Sequence, residues 1–224
     1  AILGIRALGI VGVNVTIPYK EAVIPFLDEV DPLAAKIGAV NTIVNRGGRL
    51  VGYNTDGRGF LIALMHEMQW DVSDKRVLIL GAGGSGKSIA HAVAQKSPKS
   101  LCIVNRTLET ARSLAADCGG QAVALSDVSE SDLSAAEIVI NTTAVGMGEY
   151  ETQSPLDRFN WVHSGQLICD IIYNPVETVF LKSARLQGAM TLNGMGMLAG
   201  QGQLAFELFT GYSADYRLLK AQLA

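Results

Sequence analysis

The sequence contains few cysteines and few histidines, and this scarcity argues against disulfide-stabilised and metal-binding proteins. Each of the two residue types occurs three times in 224 residues, and neither shows the close spacing that zinc ligands or disulfide frameworks use. The positions are Cys102, Cys118, Cys169, His66, His91 and His163. We therefore expect buried, reduced thiols in a reducing compartment, no metal site and no disulfide.

Charge is also scarce, and neither sign dominates. Charged residues make up 17% of the chain, and 18 Lys and Arg oppose 21 Asp and Glu for a net charge of −3. This balance provides no electrostatic attraction to nucleic acid or to an anionic membrane. No apolar run approaches the roughly 18 residues that a membrane-spanning helix needs, and no signal segment opens the sequence. These absences predict a soluble, cytoplasmic protein that binds neither nucleic acid nor membrane.

Glycine, in contrast, is abundant, and the apolar pattern changes along the chain. The 24 glycines exceed an average usage of roughly 7%. In the first quarter of the chain, residues 12–19 alternate like a strand, whereas 21–31 and 32–39 have the spacing of short helices. Apolar residues within 57–69 predict a longer amphipathic helix. This part of the chain is thus predicted to be a compact mixture of strands and helices.

From residue 76 onward, apolar strand patterns alternate with amphipathic helix patterns. Alternation of this kind is typical of a parallel sheet with helices on both faces. The sequence therefore predicts an α/β fold with a parallel sheet of the Rossmann kind.

A glycine-rich segment, GAGGSGKS, begins at Gly81 between a strand pattern and a helix pattern. The spacing of Gly81, Gly83 and Gly86 fits the GxGxxG motif of dinucleotide-binding folds, whereas Gly86, Lys87 and Ser88 complete the GxxxxGK[ST] motif of a P-loop. Both motifs hold phosphate on the amides at a helix N-terminus. The segment by itself leaves a dinucleotide and a nucleoside triphosphate open.

The end of the next strand pattern favours the dinucleotide. In dinucleotide-binding folds this position meets the adenosine ribose, with an acid for NAD and an arginine for the 2′-phosphate of NADP. Arg106 occupies it, between Asn105 and Thr107, and no acid does. A P-loop enzyme would need a magnesium-binding carboxylate, for which Asp170 is the candidate. We therefore predict NADP ahead of ATP.

The predicted cofactor residues come from the glycine-rich segment, from the ends of the next two strand patterns and from the return toward the C-terminus. Small polar groups at the end of the second of these strand patterns suit a nicotinamide-ribose cleft. They are Gly81, Ala82, Gly83, Gly84, Ser85, Asn105, Arg106, Thr107, Thr142, Ala144 and Gly194.

Several polar residues stand out from the pattern around them, and each has both a structural and a functional interpretation. Thr16 lies on the polar face of a strand pattern, and Lys20 follows it closely. Asp56 precedes a helix pattern, where it can cap the helix or hold a lysine and tune its pKa for proton transfer to an alcohol oxygen. Gln201 lies on an otherwise apolar helix face and needs a partner, either a backbone group or a bound polyol. Tyr173 follows an Ile-rich strand pattern, where a turn and a ligand contact are both open.

Together these segments resemble the shikimate dehydrogenase family from about Gly9 to the C-terminus. The motifs appear in the family's order and are NVTIPYK, GAVNT, GYNTDG, GAGGSGKS, NRT, DIIYNP and NGMGMLAGQ. The resemblance implies reversible NADP-dependent reduction of 3-dehydroshikimate to shikimate, in the pathway to chorismate and the aromatic amino acids. It also implies two domains with the active site in the cleft between them.

The resemblance assigns roles to individual residues. Lys20 matches the family's catalytic lysine and Asp56 its partner carboxylate. The positions that match contacts to the substrate's hydroxyls and ring are Thr16, Asn41, Tyr173 and Gln201. The substrate domain would comprise residues 1–56 and 195–224, and the NADP-binding domain residues 57–194. For the assembly, a monomer and a homodimer both stay open, because no interface stripe stands apart from the core stripes.

Two departures from the family pattern lead to further expectations. The family's opening strand and its paired serines, which bind the substrate carboxylate, have no counterpart here, so we expect an incomplete substrate domain. Some relatives have a second arginine where this chain has Thr110, and Arg112 is predicted to face elsewhere on the helix. Affinity for the 2′-phosphate is therefore expected to depend mainly on Arg106.

Three alternatives to this enzyme stay open at the level of sequence. One is a quinate/shikimate dehydrogenase relative with relaxed substrate or cofactor choice. A second is a truncated fragment that binds NADP without turnover. The third is a P-loop phosphotransferase, which only the Gly86-Lys87-Ser88 sequence supports.

Overall fold

The computed structural model describes residues 1–16, 18–156 and 160–223. Its helices are α1 (Ile2–Ala7), α2 (Pro32–Ile37), α3 (Asp56–Ala63), α4 (Gly84–Ala94), α5 (Leu108–Cys118), α6 (Glu130–Ala135), α7 (Val179–Leu186), α8 (Met195–Thr210) and α9 (Tyr216–Ala221). Its strands are β1 (Gly12–Asn14), β2 (Glu29–Val30), β3 (Thr42–Arg46), β4 (Arg49–Tyr53), β5 (Arg76–Leu80), β6 (Ser100–Asn105), β7 (Gln121–Ala124), β8 (Ile138–Asn141), β9 (Leu167–Asp170) and β10 (Met190–Leu192).

Within these described ranges the strands form two sheets. The larger has six strands in the order β10-β9-β8-β5-β6-β7, and every neighbouring pair is parallel. Its central strand β5 is buried on both faces: Val77 and Ile79 pack with α3, α4 and α5, whereas Leu78 and Leu80 pack with α6 and α7. The predicted parallel sheet with helices on both faces is confirmed.

The smaller sheet has four strands in the order β1-β3-β4-β2. The hairpin of β3 and β4 is antiparallel, β1 joins β3 antiparallel, and β2 joins β4 parallel. Its own apolar core includes the fully buried side chains of Ile43 and Leu50.

The helical expectation for residues 21–31 is wrong over most of its length. A single 3-10 turn forms at Ile24–Phe26, after which the backbone is extended and pairs with β4 as strand β2. The amide of Asp28 donates to the carbonyl of Leu50 at 3.0 Å. Backbone pairing with a neighbouring strand therefore overrides the local helical spacing.

Helix α3 follows the smaller sheet in the chain and packs closely against two other helices. Two residues separate it from β4. A Cβ atom at Gly57 would lie 2.1 Å from the carbonyl oxygen of Ser88 in α4, and one at Gly59 would lie 2.5 Å from the amide nitrogen of Gln201 in α8. These glycines let three helices meet at backbone distance, so the first turn of α3 is the junction between the smaller sheet and the larger one.

The sequence predicts buried, reduced thiols for the three cysteines. Cys169 is buried, Cys102 and Cys118 are half-buried, and all three are free. Burial raises the pKa of the Cys102 and Cys118 thiols to about 11, so they stay protonated at neutral pH.

Across the described part of the chain, the helices are too short or too polar to cross a membrane.

Candidate active site

Lys20 and Asp56, which are 36 residues apart in sequence, form an ion pair. The Lys20 Nζ donates to Asp56 Oδ2 at 2.6 Å, and the two side chains are 18% and 7% exposed. The backbone carbonyl of Lys20 accepts from the amide of Val40 at 2.8 Å, which ties the loop of Lys20 to the start of the β3–β4 hairpin. Asp56 is the first residue of α3, where the helix dipole favours a negative charge. The ammonium group is therefore fixed but still reachable from solvent.

Asn41 holds the second oxygen of the Asp56 carboxylate. Its Nδ2 donates to Asp56 Oδ1 at 2.8 Å and to Thr55 Oγ1 at 2.9 Å. Its Oδ1 accepts from the Thr55 amide at 2.9 Å and from Thr42 Oγ1 at 2.9 Å. Asn41 is only 2% exposed, and its amide is committed to protein partners. The geometry thus gives Asn41 the task of orienting Asp56, while its predicted contact with a substrate stays a prediction.

Two further residues complete this polar cluster, and the sequence interpretation did not assign them. The Asn54 Oδ1 accepts from the backbone amide of Asp56 at 3.1 Å and from Ser88 Oγ at 2.8 Å. The Ser88 Oγ also accepts from the amide of Gly57 at 2.8 Å. Asn54 belongs to the GYNTDG motif, which was quoted without a role for this residue, and Ser88 was interpreted as part of the P-loop motif.

The glycine-rich turn leads from β5 into α4 and leaves open space beside two of its glycines. Gly81 has a φ of +101°, and a Cβ there would lie 2.7 Å from Thr142 Oγ1. Gly86 packs as closely, since its Cβ would lie 2.4 Å from the Gly81 carbonyl oxygen. A Cβ at Gly83 or Gly84 would instead enter open space. The first pair of glycines closes the turn, and the second pair leaves the helix N-terminus accessible, as a bound diphosphate requires.

The end of β6 lies against the same turn. The Oδ1 of Asn105 accepts from the Ala82 amide at 3.3 Å, and its Nδ2 donates to the Thr107 carbonyl at 3.0 Å. Arg106 is exposed, and none of the ion pairs among the described residues includes it. Arg112, in contrast, pairs with Glu109 at 2.5 Å. Arg106 is thus the accessible guanidinium at this end of the turn, which fits a 2′-phosphate.

The other predicted cofactor residues lie in the loop after β8, in the first turn of α4 and at the N-cap of α8. The Thr142 Oγ1 donates to the Leu80 carbonyl at 2.7 Å and so holds the loop after β8 against the end of β5, where the turn begins. Ala144 is exposed in the loop after β8, and Ser85 is half-buried in the first turn of α4. Gly194 packs so tightly that a Cβ would lie 1.9 Å from the Ile171 carbonyl oxygen. A direct contact of these residues with a cofactor stays a prediction.

The remaining substrate candidates come from three separate segments. Thr16 is exposed. Tyr173 is 48% exposed in the loop after β9. Gln201 is half-buried, and its Nε2 donates to the Leu198 carbonyl at 3.0 Å, so it has the backbone partner that the sequence left open. The backbone carbonyl of Gln201 accepts from Thr55 Oγ1 at 3.3 Å, which places Gln201 beside the first turn of α3.

Asp170 does not have the geometry of a magnesium ligand. It is 1% exposed, its Oδ1 accepts from Asn141 Nδ2 and from the Ile172 amide at 3.1 Å, and its Oδ2 accepts from Thr178 Oγ1 at 2.8 Å. Both oxygens already accept hydrogen bonds from the protein. Among the described residues, no cluster of three or more His, Cys, Asp or Glu is arranged to hold a metal. The P-loop alternative therefore loses its candidate carboxylate.

Comparison with known proteins identifies the family. Three family models match the chain in order: shikimate dehydrogenase substrate binding domain at residues 1–43, shikimate / quinate 5-dehydrogenase at 63–153, and shikimate 5′-dehydrogenase C-terminal domain at 194–223. Shikimate dehydrogenase (NADP(+)) of Geobacillus sp. (strain WCH70) is 48% identical over 223 residues, which is 98% of this chain and 80% of that protein.

Solved structures agree with the sequence comparison. A crystal structure of shikimate dehydrogenase in complex with NADP+ superposes with a TM-score of 0.89 and 39% identity, covering 100% of this chain and 79% of that one. The enzyme of Thermus thermophilus in complex with NADP(H) and shikimate gives a TM-score of 0.87 and 36% identity, covering 99% of this chain and 81% of that one. On this likeness of sequence and fold over nearly its whole length, the chain belongs to the shikimate dehydrogenase family.

Proposed function

We propose that this chain catalyses the reversible NADP-dependent reduction of 3-dehydroshikimate to shikimate, as a cytoplasmic enzyme of the pathway to chorismate. The main support is the Lys20–Asp56 pair, in which the ammonium Nζ lies 2.6 Å from Asp56 Oδ2 at a partly exposed position. The names of the relatives, shikimate dehydrogenase (NADP(+)), support the substrate and the cofactor.

The division of labour follows from the geometry of the chain's own residues. When the cofactor is bound, its reduced nicotinamide supplies the hydride for the 3-carbonyl carbon. Lys20 gives a proton to the oxygen of that carbonyl, which becomes the 3-hydroxyl of shikimate, and in the reverse direction it takes the proton back. Asp56 holds the ammonium at the reacting oxygen and stabilises its charge. Asn41 fixes the carboxylate, so the pair needs little reorganisation during the reaction.

The proposed cofactor site comprises the glycine-rich turn and the end of β6. The open space beside Gly83 and Gly84 and the exposed guanidinium of Arg106 support NADP there. The proposed domains, residues 1–56 with 195–224 and residues 57–194, have support from the substrate-binding family model at 1–43. Thr16, Tyr173 and Gln201 supply the substrate's polar contacts in this proposal, and a monomer or homodimer stays the prediction for the assembly.

The deciding experiment follows absorbance at the reduced-nicotinamide band after shikimate and NADP+ are mixed with the purified chain. We expect a rise, and we expect Lys20→Ala to lower its rate about 10²- to 10⁴-fold because the proton carrier is lost. Lys182→Ala is the matched control, since it removes an exposed lysine on α7. Replacing shikimate by quinate, and NADP+ by NAD+, tests the relaxed-specificity alternative.

Two outcomes would contradict the proposal. If Lys20→Ala keeps the rate of the unmodified chain, the lysine does not transfer the proton. If the unmodified chain shows no turnover while NADP+ still raises its melting temperature, the chain is a cofactor-binding fragment, because binding to the folded state stabilises it without any chemistry.

A further inference from the structure

Ser88 is a buried serine on the helix that starts at the glycine-rich turn, yet both of its hydroxyl contacts are to the segment that contains Asp56. It lies in the second turn of α4 and is 2% exposed. Its Oγ donates to Asn54 Oδ1 and accepts from the Gly57 amide, both at 2.8 Å. No cofactor or substrate contact has been assigned to this hydroxyl.

Asn54 and Ser88 together replace the side-chain cap that the N-cap residue of α3 does not provide. Thr55 occupies the N-cap position but makes no capping hydrogen bond, because its hydroxyl is shared with Asn41 and the Gln201 carbonyl. The first amides of a helix have no partner within the helix. Here the Asp56 amide donates to Asn54 Oδ1, and the Gly57 amide donates to Ser88 Oγ.

Ser88 can reach α3 only because the two helices touch at backbone distance. A Cβ at Gly57 would lie 2.1 Å from the Ser88 carbonyl oxygen and 2.9 Å from the Ala92 Cβ. The helix that presents its N-terminus to the cofactor therefore also fixes the backbone of Asp56. A shift of α4 relative to α3 moves the carboxylate relative to Lys20.

We propose that Ser88 is a positioning residue that holds Asp56 at Lys20 and so links the cofactor helix to the proton-transferring pair. This inference rests on the proposed function. An alanine at position 88 leaves the buried Gly57 amide without its side-chain partner. It also leaves Asn54 Oδ1 with the Asp56 amide as its remaining partner. The backbone that carries the Asp56 carboxylate loses one of its supports, and small displacements of positioned groups cost rate rather than binding.

The test compares Ser88→Ala with Ser134→Ala, which removes a half-buried helical hydroxyl whose partner is the carbonyl of Trp161. We expect Ser88→Ala to lower kcat about ten-fold while KM for NADP+ changes less than about two-fold, and Ser134→Ala to leave both unchanged. Ser88→Cys keeps the size of the side chain with a weaker donor, so its kcat should fall between those two. If Ser88→Ala does not fold, Ser88→Cys takes its place.

A double variant separates positioning from a general loss of stability. In the Asp56→Asn background, Ser88→Ala should lower kcat by less than about two-fold, because residues that act through one another are not additive. A full ten-fold loss in that background, or an unchanged kcat for Ser88→Ala with only a lower melting temperature, overturns the inference. If Asp56→Asn itself keeps full activity, the proposed Lys20–Asp56 chemistry fails, and the inference fails with it.

Discussion

At the scale of single residues, Arg106 and Arg112 are six positions apart and differ in whether the guanidinium group already has an acidic partner. Arg106 is exposed beside the glycine-rich turn, whereas Arg112 is already paired with Glu109. A planar guanidinium with free donors is well suited to a phosphate. Recognition of the 2′-phosphate should therefore depend on the first arginine and not on the second.

We expect Arg106→Gln to raise KM for NADP+ about 10- to 100-fold, because a hydrogen bond to a charged group contributes about 1.5 to 3 kcal/mol. KM for NAD+ should change little, since that cofactor has no 2′-phosphate. Arg112→Gln removes the same charge six residues away and should leave both values unchanged. Steady-state kinetics with the two cofactors measure this, and an equal loss for both arginines would contradict the assignment.

At the scale of secondary-structure elements, the contact of α3 with α8 positions two candidate residues. Asp56 begins α3, and Gln201 lies in the second turn of α8. The axes approach closely because Gly59 and Gly200 face each other: a Cβ at Gly200 would lie 2.4 Å from the Gly59 carbonyl oxygen. Any side chain there forces the two helices apart.

Gly200→Ala is therefore expected to destabilise the fold by about 1 to 3 kcal/mol, as overpacking in a core does, and to lower kcat by moving Asp56 and Gln201 apart. Gly202→Ala is the control in the same helix. A Cβ at Gly202 meets nothing within 4 Å, so this change should stabilise the helix by up to about 1 kcal/mol. Urea denaturation and activity assays distinguish the two; equal stability of both variants would contradict the packing argument.

At the scale of the whole molecule, the larger sheet encloses a carboxylate at the junction of β8, β9 and α7. Burial raises the pKa of Asp170 to about 6, against hydrogen bonds from the Ile172 amide, Thr178 and Asn141 that favour its charged form. Since the pKa in the unfolded chain is 3.8, the folded protein binds a proton between about pH 4 and 6 that the unfolded chain has released. Stability contributed by this group is thus present below about pH 4 and lost as pH rises through about 6.

We expect Asp170→Asn to flatten this part of the stability profile. The amide fits the same partners, because its oxygen accepts from Asn141 and Ile172 and its nitrogen donates to Thr178 Oγ1. Urea denaturation from about pH 4 to 6.5 should show the unmodified chain losing up to about 3 kcal/mol more than Asp170→Asn over that range, at about 1.36 kcal/mol per pKa unit. Asp127→Asn, at an exposed position, is the control, and parallel profiles for Asp170→Asn and the unmodified chain would contradict the expectation.

Local patterns in the sequence were enough to predict the larger sheet and the glycine-rich turn. Strand β5, the turn and helix α4 are consecutive in the chain, so apolar period and glycine spacing define them without reference to distant residues. The short strand β2 was missed for the opposite reason. Only its pairing with β4 makes residues 29–30 extended, and that partner lies about 20 residues away.

The sequence by itself determined the family motifs, the α/β fold and the types of residue available for proton transfer and phosphate binding. The tertiary structure decided which of them meet. Lys20 comes from a loop, Asn41 from the start of a hairpin, Asp56 from α3 and Ser88 from α4, and their hydrogen bonds span up to 36 residues. Spacing along the chain does not encode such distances, because they depend on how the loop, the hairpin and the two helices pack against one another in three dimensions.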